Sequence, residues 1–128
     1  MESLLKTTRR PDIAFYRNGR IDISASVVKA LGLQRGDSID VTTDGYEYLL
    51  YVSHRAGNGR FEAQCLPTNI KKSTNSFRAH SVRLCRAVRG AVPVGCSVGE
   101  ILRLPTGTAY HSKMLDQMVV PLITHNPL

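Results

Sequence analysis

The chain has no tryptophan, three cysteines and few aromatic residues, and each shortage closes off a class of protein. Cys65, Cys85 and Cys96 are odd in number, widely spaced and without any Cys-x-x-Cys pair, so neither a disulfide framework nor a zinc knuckle is indicated. Small buried side chains in a reducing cytosol account for them. His54, His80, His111 and His125 do not cluster with them in sequence, and no metal or cofactor is expected. Long apolar runs are missing too. Met118-Val119-Val120-Pro121-Leu122-Ile123 is the longest notable one, far short of the ~20 residues a membrane span needs. Met1-Glu2-Ser3-Leu4-Leu5-Lys6 lacks the apolar core of a signal peptide, so the expectation is a cytoplasmic protein with no membrane partner. There is no Gly-rich phosphate loop, no Gly-x-Ser-x-Gly elbow and no His-Glu-x-x-His pair. Glu62 with His80 or Cys85 is a set that only folding could assemble, and no enzyme is expected.

Acidic residues are the last shortage. Ten of them face 17 Lys and Arg, giving a net charge of +7 and a pI near 9.7, which points to a polyanionic partner such as nucleic acid. The excess is not evenly spread. Residues 1–52 balance seven basic against seven acidic side chains, whereas residues 53–128 hold ten Lys and Arg against Glu62, Glu100 and Asp116.

What is present is a compressed pattern of turn, strand, helix, turn and strand. Ile21 and Ile23 alternate with Arg20, Asp22 and Ser24 as on a half-buried strand, while Val27, Val28 and Leu31 recur at helical spacing. Ser24 or Ser26 can cap the helix, and Gly32 supplies the left-handed residue that stops it. At about two turns the helix depends on packing against neighbouring strands. Arg35-Gly36-Asp37 forms a turn, Ile39 and Val41 open a second strand, and Asp44-Gly45 predicts a hairpin into a strand over residues 46–52. Packing explains Phe15, Tyr16, Tyr46, Tyr48 and Tyr51 better than stacking on unpaired bases, because no basic residue interrupts the tyrosines of residues 46–52.

Read from Gly19 to Val41 as G-R-I-x-I-x-x-x-V-x-K-x-L-G-L-x-x-G-D-x-I-x-V, this stretch resembles the AbrB-like (SpoVT-AbrB) swapped-hairpin domains of bacterial transition-state regulators and antitoxins. The resemblance covers residues 12–52. It implies a small β-barrel made by two interleaved chains, hence a homodimer or higher homo-oligomer that binds DNA. Two departures limit what carries over: Ser24 stands where the family has proline, and Val28 precedes Lys29 where it has a basic pair. Arg20 and Lys29 match the family as DNA contacts, and Arg17 joins them because it flanks the same turn. Arg20 also has Asp22 and Asp37 as candidate intramolecular partners.

The fold expected is therefore mainly β with short helices: an arm (1–11), the swapped-hairpin domain (12–52) and a basic β-rich or α+β extension (53–128). In that extension residues 53–60 read as a loop, and 61–66 as a strand stopped by Pro67. Residues 68–80 read as an exposed basic loop in which Lys71, Lys72 and Arg78 can meet phosphates. Residues 81–88 fit either a strand or a short helix capped by Ser81 and exposing Arg83, Arg86 and Arg89, with the helix favoured and interrupted at Gly90. Residues 117–124 read as a strand made peripheral by Pro121. The function expected is a homodimeric DNA-binding regulator. The alternative is an antitoxin or scaffold that dimerises through its first part and binds a protein through its second.

Overall fold

The first hairpin follows from alternation. Ile13 and Phe15 on β1 (Ile13–Tyr16) and Ile21 and Ile23 on β2 (Arg20–Ile23) all point inward and are at most 1% exposed. They pair antiparallel with Ile13 opposite Ile23 and Phe15 opposite Ile21. In this computed structural model, residues 12–69, 75–92 and 101–124 are described. The expected arm, Lys71, Lys72, Cys96 and residues 125–128 lie outside the described residues.

Helix α1 (Ala25–Leu31) buries Val27, Val28 and Leu31 and ends on Gly32 at φ 63°, as the sequence predicts. The expected serine cap is not made: Ser24 Oγ lies 3.0 Å from Ser26 Oγ, and no backbone amide is capped. Strands β3 (Ser38–Thr43) and β4 (Tyr48–His54) form the predicted hairpin. The second strand starts two residues later than expected because Asp44 Oδ1 accepts the amides of Tyr46 and Glu47, both at 2.8 Å, removing them from the ladder. Tyr46 is consequently 91% exposed in the turn, not packed in a core.

Residues 61–65 correct another expectation. They form no regular strand, because Ala63 sits at φ 57°, a left-handed conformation that a ladder cannot continue through. Pro67 does not stop a strand but belongs to a short one, β5 (Leu66–Pro67), at the sheet edge. After β6 (Phe77–His80) comes helix α2 (Val82–Ala91), which settles the ambiguity of residues 81–88. Ser81 Oγ accepts the Leu84 amide at 3.0 Å, and Gly90 lies within the last turn instead of interrupting the helix. Ser81 thus makes its cap and also donates to Glu62 Oε2 at 2.7 Å, whereas Ser24 makes no cap. Ser81→Ala should therefore cost about 1 kcal/mol in denaturant unfolding, whereas Ser24→Ala should cost a few tenths at most.

Strands β7 (Ile101–Leu104), β8 (Tyr110–Ser112) and β9 (Gln117–Leu122) complete the fold. The described residues are thus mainly β: nine strands in two antiparallel sheets, ordered β5-β6-β2-β1-β7 and β3-β4-β9-β8, with two short helices. Strand β9 is not peripheral, since it lies between β4 and β8 with Val119 to Leu122 buried. Pro121 is tolerated there because β8 pairs only as far as Val119. The Pro121 carbonyl turns to the Gly107 amide, and its missing N–H faces the same side, where no ladder runs.

The two sheets touch by single bridges, Ser38 with Gln64 and Thr106 with Leu122, and no closed barrel forms among the described residues. Each sheet draws strands from both sides of Val52, which lies inside β4, and one core takes side chains from both sheets and both helices.

A repeat emerges that the sequence pattern had concealed. The units β2-Ser24-α1 and β6-Ser81-α2 bury the same helical positions, Val27, Val28 and Leu31 in one and Leu84, Cys85 and Val88 in the other. Lys29 and Arg86 occupy equivalent exposed positions. Strands β2 and β6 pair antiparallel with Ile21 opposite Ala79 and Ile23 opposite Phe77, so the two units are neighbours in one sheet, although the strand positions equivalent to Ile21 and Ile23 are the exposed Arg78 and His80.

Candidate nucleic-acid interface

The β1–β2 turn positions the first cation. Gly19 stands at φ 100°, and a Cβ there would come within 2.8 Å of Val82 Cγ2, so only glycine lets the turn seat against the start of α2. The Gly19 carbonyl accepts the Ser81 amide at 2.8 Å and fixes this contact. Arg17, exposed on the turn, is thereby brought beside Arg86 and Arg89 of α2. These three arginines and Val82 line a cleft of about 280 Å³, with no carboxylate among its described lining residues. Helix α2 itself carries three arginines and no acidic residue. Its third arginine, Arg83, spends its charge on Glu62 at 3.0 Å, an exposed pair that contributes little to stability.

Arg20 and Arg78 meet on the other side of the turn, at Asp22. Arg20 Nη2 donates to Asp22 Oδ2 at 2.8 Å and Arg78 Nε to Oδ1 at 2.9 Å, while the Arg20 guanidinium lies 4.7 Å from the Tyr16 ring centroid. Partial burial opposes ionisation of Asp22, but the hydrogen bonds and charges of Arg20 and Arg78 outweigh it and hold its carboxyl below the usual carboxylate range. Of the two intramolecular partners open to Arg20, the structure selects Asp22; Asp37 takes Arg55 instead, at 2.8 Å.

The sequence-derived candidates are thus distributed over separate surfaces. Arg17 faces the α2 cleft, Arg20 and Arg78 share one carboxylate, and Lys29 lies exposed on α1 beside an apolar groove with Val28, Leu33 and Phe77. Arg86 and Arg89 are not among the contacts that the sequence suggests, although their spacing in 81–89 places them on one helical face. Their meeting with Arg17 depends on the Gly19 contact, which has no local signature.

The set Glu62, His80 and Cys85 does not assemble. Glu62 accepts from Ser81 and Arg83, His80 Nε2 is bonded to the Asn18 carbonyl, and Cys85 Sγ donates to the Arg20 carbonyl. Burial, with Asp37 nearby, pushes the Cys65 thiol up to about 12, and burial also raises Cys85, so neither is a thiolate at neutral pH. Among the described residues no three His, Cys, Asp or Glu side chains are grouped to hold a metal ion, and no helix is long and apolar enough to cross a membrane. No family model, no curated protein and no solved structure matches this chain.

Proposed function

We propose that the protein binds DNA through the cleft of Arg17, Arg86 and Arg89 and serves as a transcriptional regulator of the AbrB-like type. The observation that carries this reading is the convergence of three guanidinium groups, from a turn and from a helix far apart in sequence, on one cleft whose described lining residues include no carboxylate. Guanidinium groups on a turn and a helix that are locked together by the Gly19 contact suit the fixed spacing of backbone phosphates. Arg20 and Arg78 lie on the other side of the turn with half of their joint charge already matched by Asp22, and Lys29 presents on α1 the position equivalent to Arg86. The homodimer that the resemblance implies is part of this reading.

The test is fluorescence anisotropy with duplex DNA across a salt series. Affinity should fall steeply with salt, with a slope of about −0.9 per phosphate neutralised. The double substitution Arg17→Ala, Arg86→Ala should flatten that slope by about 2 and weaken binding most at low salt. Unchanged binding in this variant would remove the cleft from the interface, and no binding at low salt would remove the function.

A further inference from the structure

Beyond the turn of residues 17–19 lies a second and larger cavity. It measures about 740 Å³, within the range of roughly 300–1,000 Å³ typical of ligand pockets. We propose that it receives a nucleotide, with the phosphate on Arg78 and Arg20 and the base over Leu66 and Pro67. This rests on the reading above for the class of ligand, since the turn that sends Arg17 into the DNA cleft sends Asn18 into this pocket.

Donor bookkeeping supports the phosphate end. Arg78 gives only its Nε to Asp22, and Arg20 gives Nε and Nη2. The two terminal amino groups of Arg78 and Nη1 of Arg20 therefore have no protein partner among the described residues. Asp22, bonded to both guanidinium groups, lines a neighbouring pocket and not this one, so the described lining residues of the cavity carry two guanidinium groups and no carboxylate. A planar fork of unspent N–H groups matches phosphate oxygens.

The other end supports the base. Leu66 is 50% exposed, an apolar side chain left open beside Pro67 on a short edge strand. Two amides flank this apolar floor with complementary unspent groups. Asn18 uses its Oδ1 on the Arg20 amide and keeps Nδ2, while Gln64 uses Nε2 on the Gly36 carbonyl and keeps Oε1. One donor and one acceptor beside an apolar surface are what the edge and face of a nucleobase require.

The nucleotide can be free or the unpaired end of a nucleic acid, and one set of titrations distinguishes the two. The full chain is titrated with adenosine monophosphate, inorganic phosphate, a short blunt duplex and the same duplex with a single-stranded overhang. Adenosine monophosphate should bind more tightly than phosphate alone, and Leu66→Asp should weaken it by about tenfold or more without changing the melting temperature or blunt-duplex binding. An overhang that tightens duplex binding, with the gain lost in Leu66→Asp, supports an unpaired end as occupant. Adenosine monophosphate binding with no gain from the overhang supports a free nucleotide. The proposal is overturned if adenosine monophosphate binds no better than phosphate and the overhang adds nothing. If the blunt duplex still binds in that case, the failure is confined to this pocket; if it does not, the DNA reading falls as well.

Discussion

Asp37→Ala should lower the stability of the protein by about 3 kcal/mol, most of it from two orphaned backbone amides. The Asp37 carboxylate is 1% exposed. Its Oδ2 accepts the Gln34 amide and Arg55 Nη1, and its Oδ1 accepts the Ala56 amide, all at 2.8 Å. One side chain thus ties the turn after α1 to the exit of β4. The Asp37 main chain adds the link to residue 65, since its carbonyl accepts the Cys65 amide at 2.8 Å. Removing the carboxylate leaves two N–H groups without partners at about 1–3 kcal/mol each. Arg55, half exposed, keeps the Gly32 carbonyl at 3.0 Å and can turn to water, so its loss of partner costs little. The expected order of destabilisation is Asp37→Ala above Asp37→Asn above Arg55→Ala, because asparagine restores one acceptor and Arg55→Ala leaves both amide bonds intact. For a chain of this size the alanine variant should melt roughly 10 °C lower. Equal losses in Asp37→Ala and Arg55→Ala would show that the ion pair, not the amides, holds the loops.

Asp37 also marks the boundary of what its sequence conveys. The string Arg35-Gly36-Asp37 identifies a turn, and the turn is there. That its carboxylate is buried under Arg55 follows from the β3–β4 pairing, which returns residue 55 to this point. The helices were legible for a related reason: Val27, Val28 and Leu31, and Leu84, Cys85 and Val88, lie on single faces whose period is local. So was the β3–β4 hairpin, since Asp44-Gly45 carries its own geometry. Long-range partners were not. Pro121 suggested an edge, yet β9 is central because only the N–H on its β8 side is missing. The resemblance ends at Val52 and a loop-like composition follows it, whereas the pairing of Val52 with Ile39, and of β4 with β9, depends on partners that no local stretch of sequence names. Of the candidate site, Arg17 and Arg20 were legible from the turn that holds them. The cleft was not, because it depends on the fit of Gly19 against Val82 across some sixty residues of sequence.

Phe15→Ala tests whether that shared core acts as one cooperative unit. Phe15 is fully buried on β1, opposite Ile21 on β2 and Leu102 on β7, and so stands at the junction of strands from both sides of Val52. Truncating a buried phenylalanine costs about 3–5 kcal/mol in lost transfer energy and residual cavity. Against a total stability of about 5–15 kcal/mol, this removes a large part of the reserve. How the loss is spread is the informative part. If strands β1, β2, β6 and β7 are one sheet over one core, amides of β6, α2 and β7 should lose hydrogen-exchange protection together with those of β1 and β2, and fluorescence and far-UV circular dichroism should give coincident denaturant transitions. The β4–β9 ladder should follow, since Leu50 and Val120 pair there and belong to the same core. Two separate transitions, with residues 77–122 keeping their protection while residues 13–54 lose theirs, would mean that the basic part folds on its own. The Arg17–Arg86–Arg89 cleft would then join two independently stable units, and Phe15→Ala would weaken DNA binding without unfolding α2. A single transition instead makes the cleft as stable as the core beneath it.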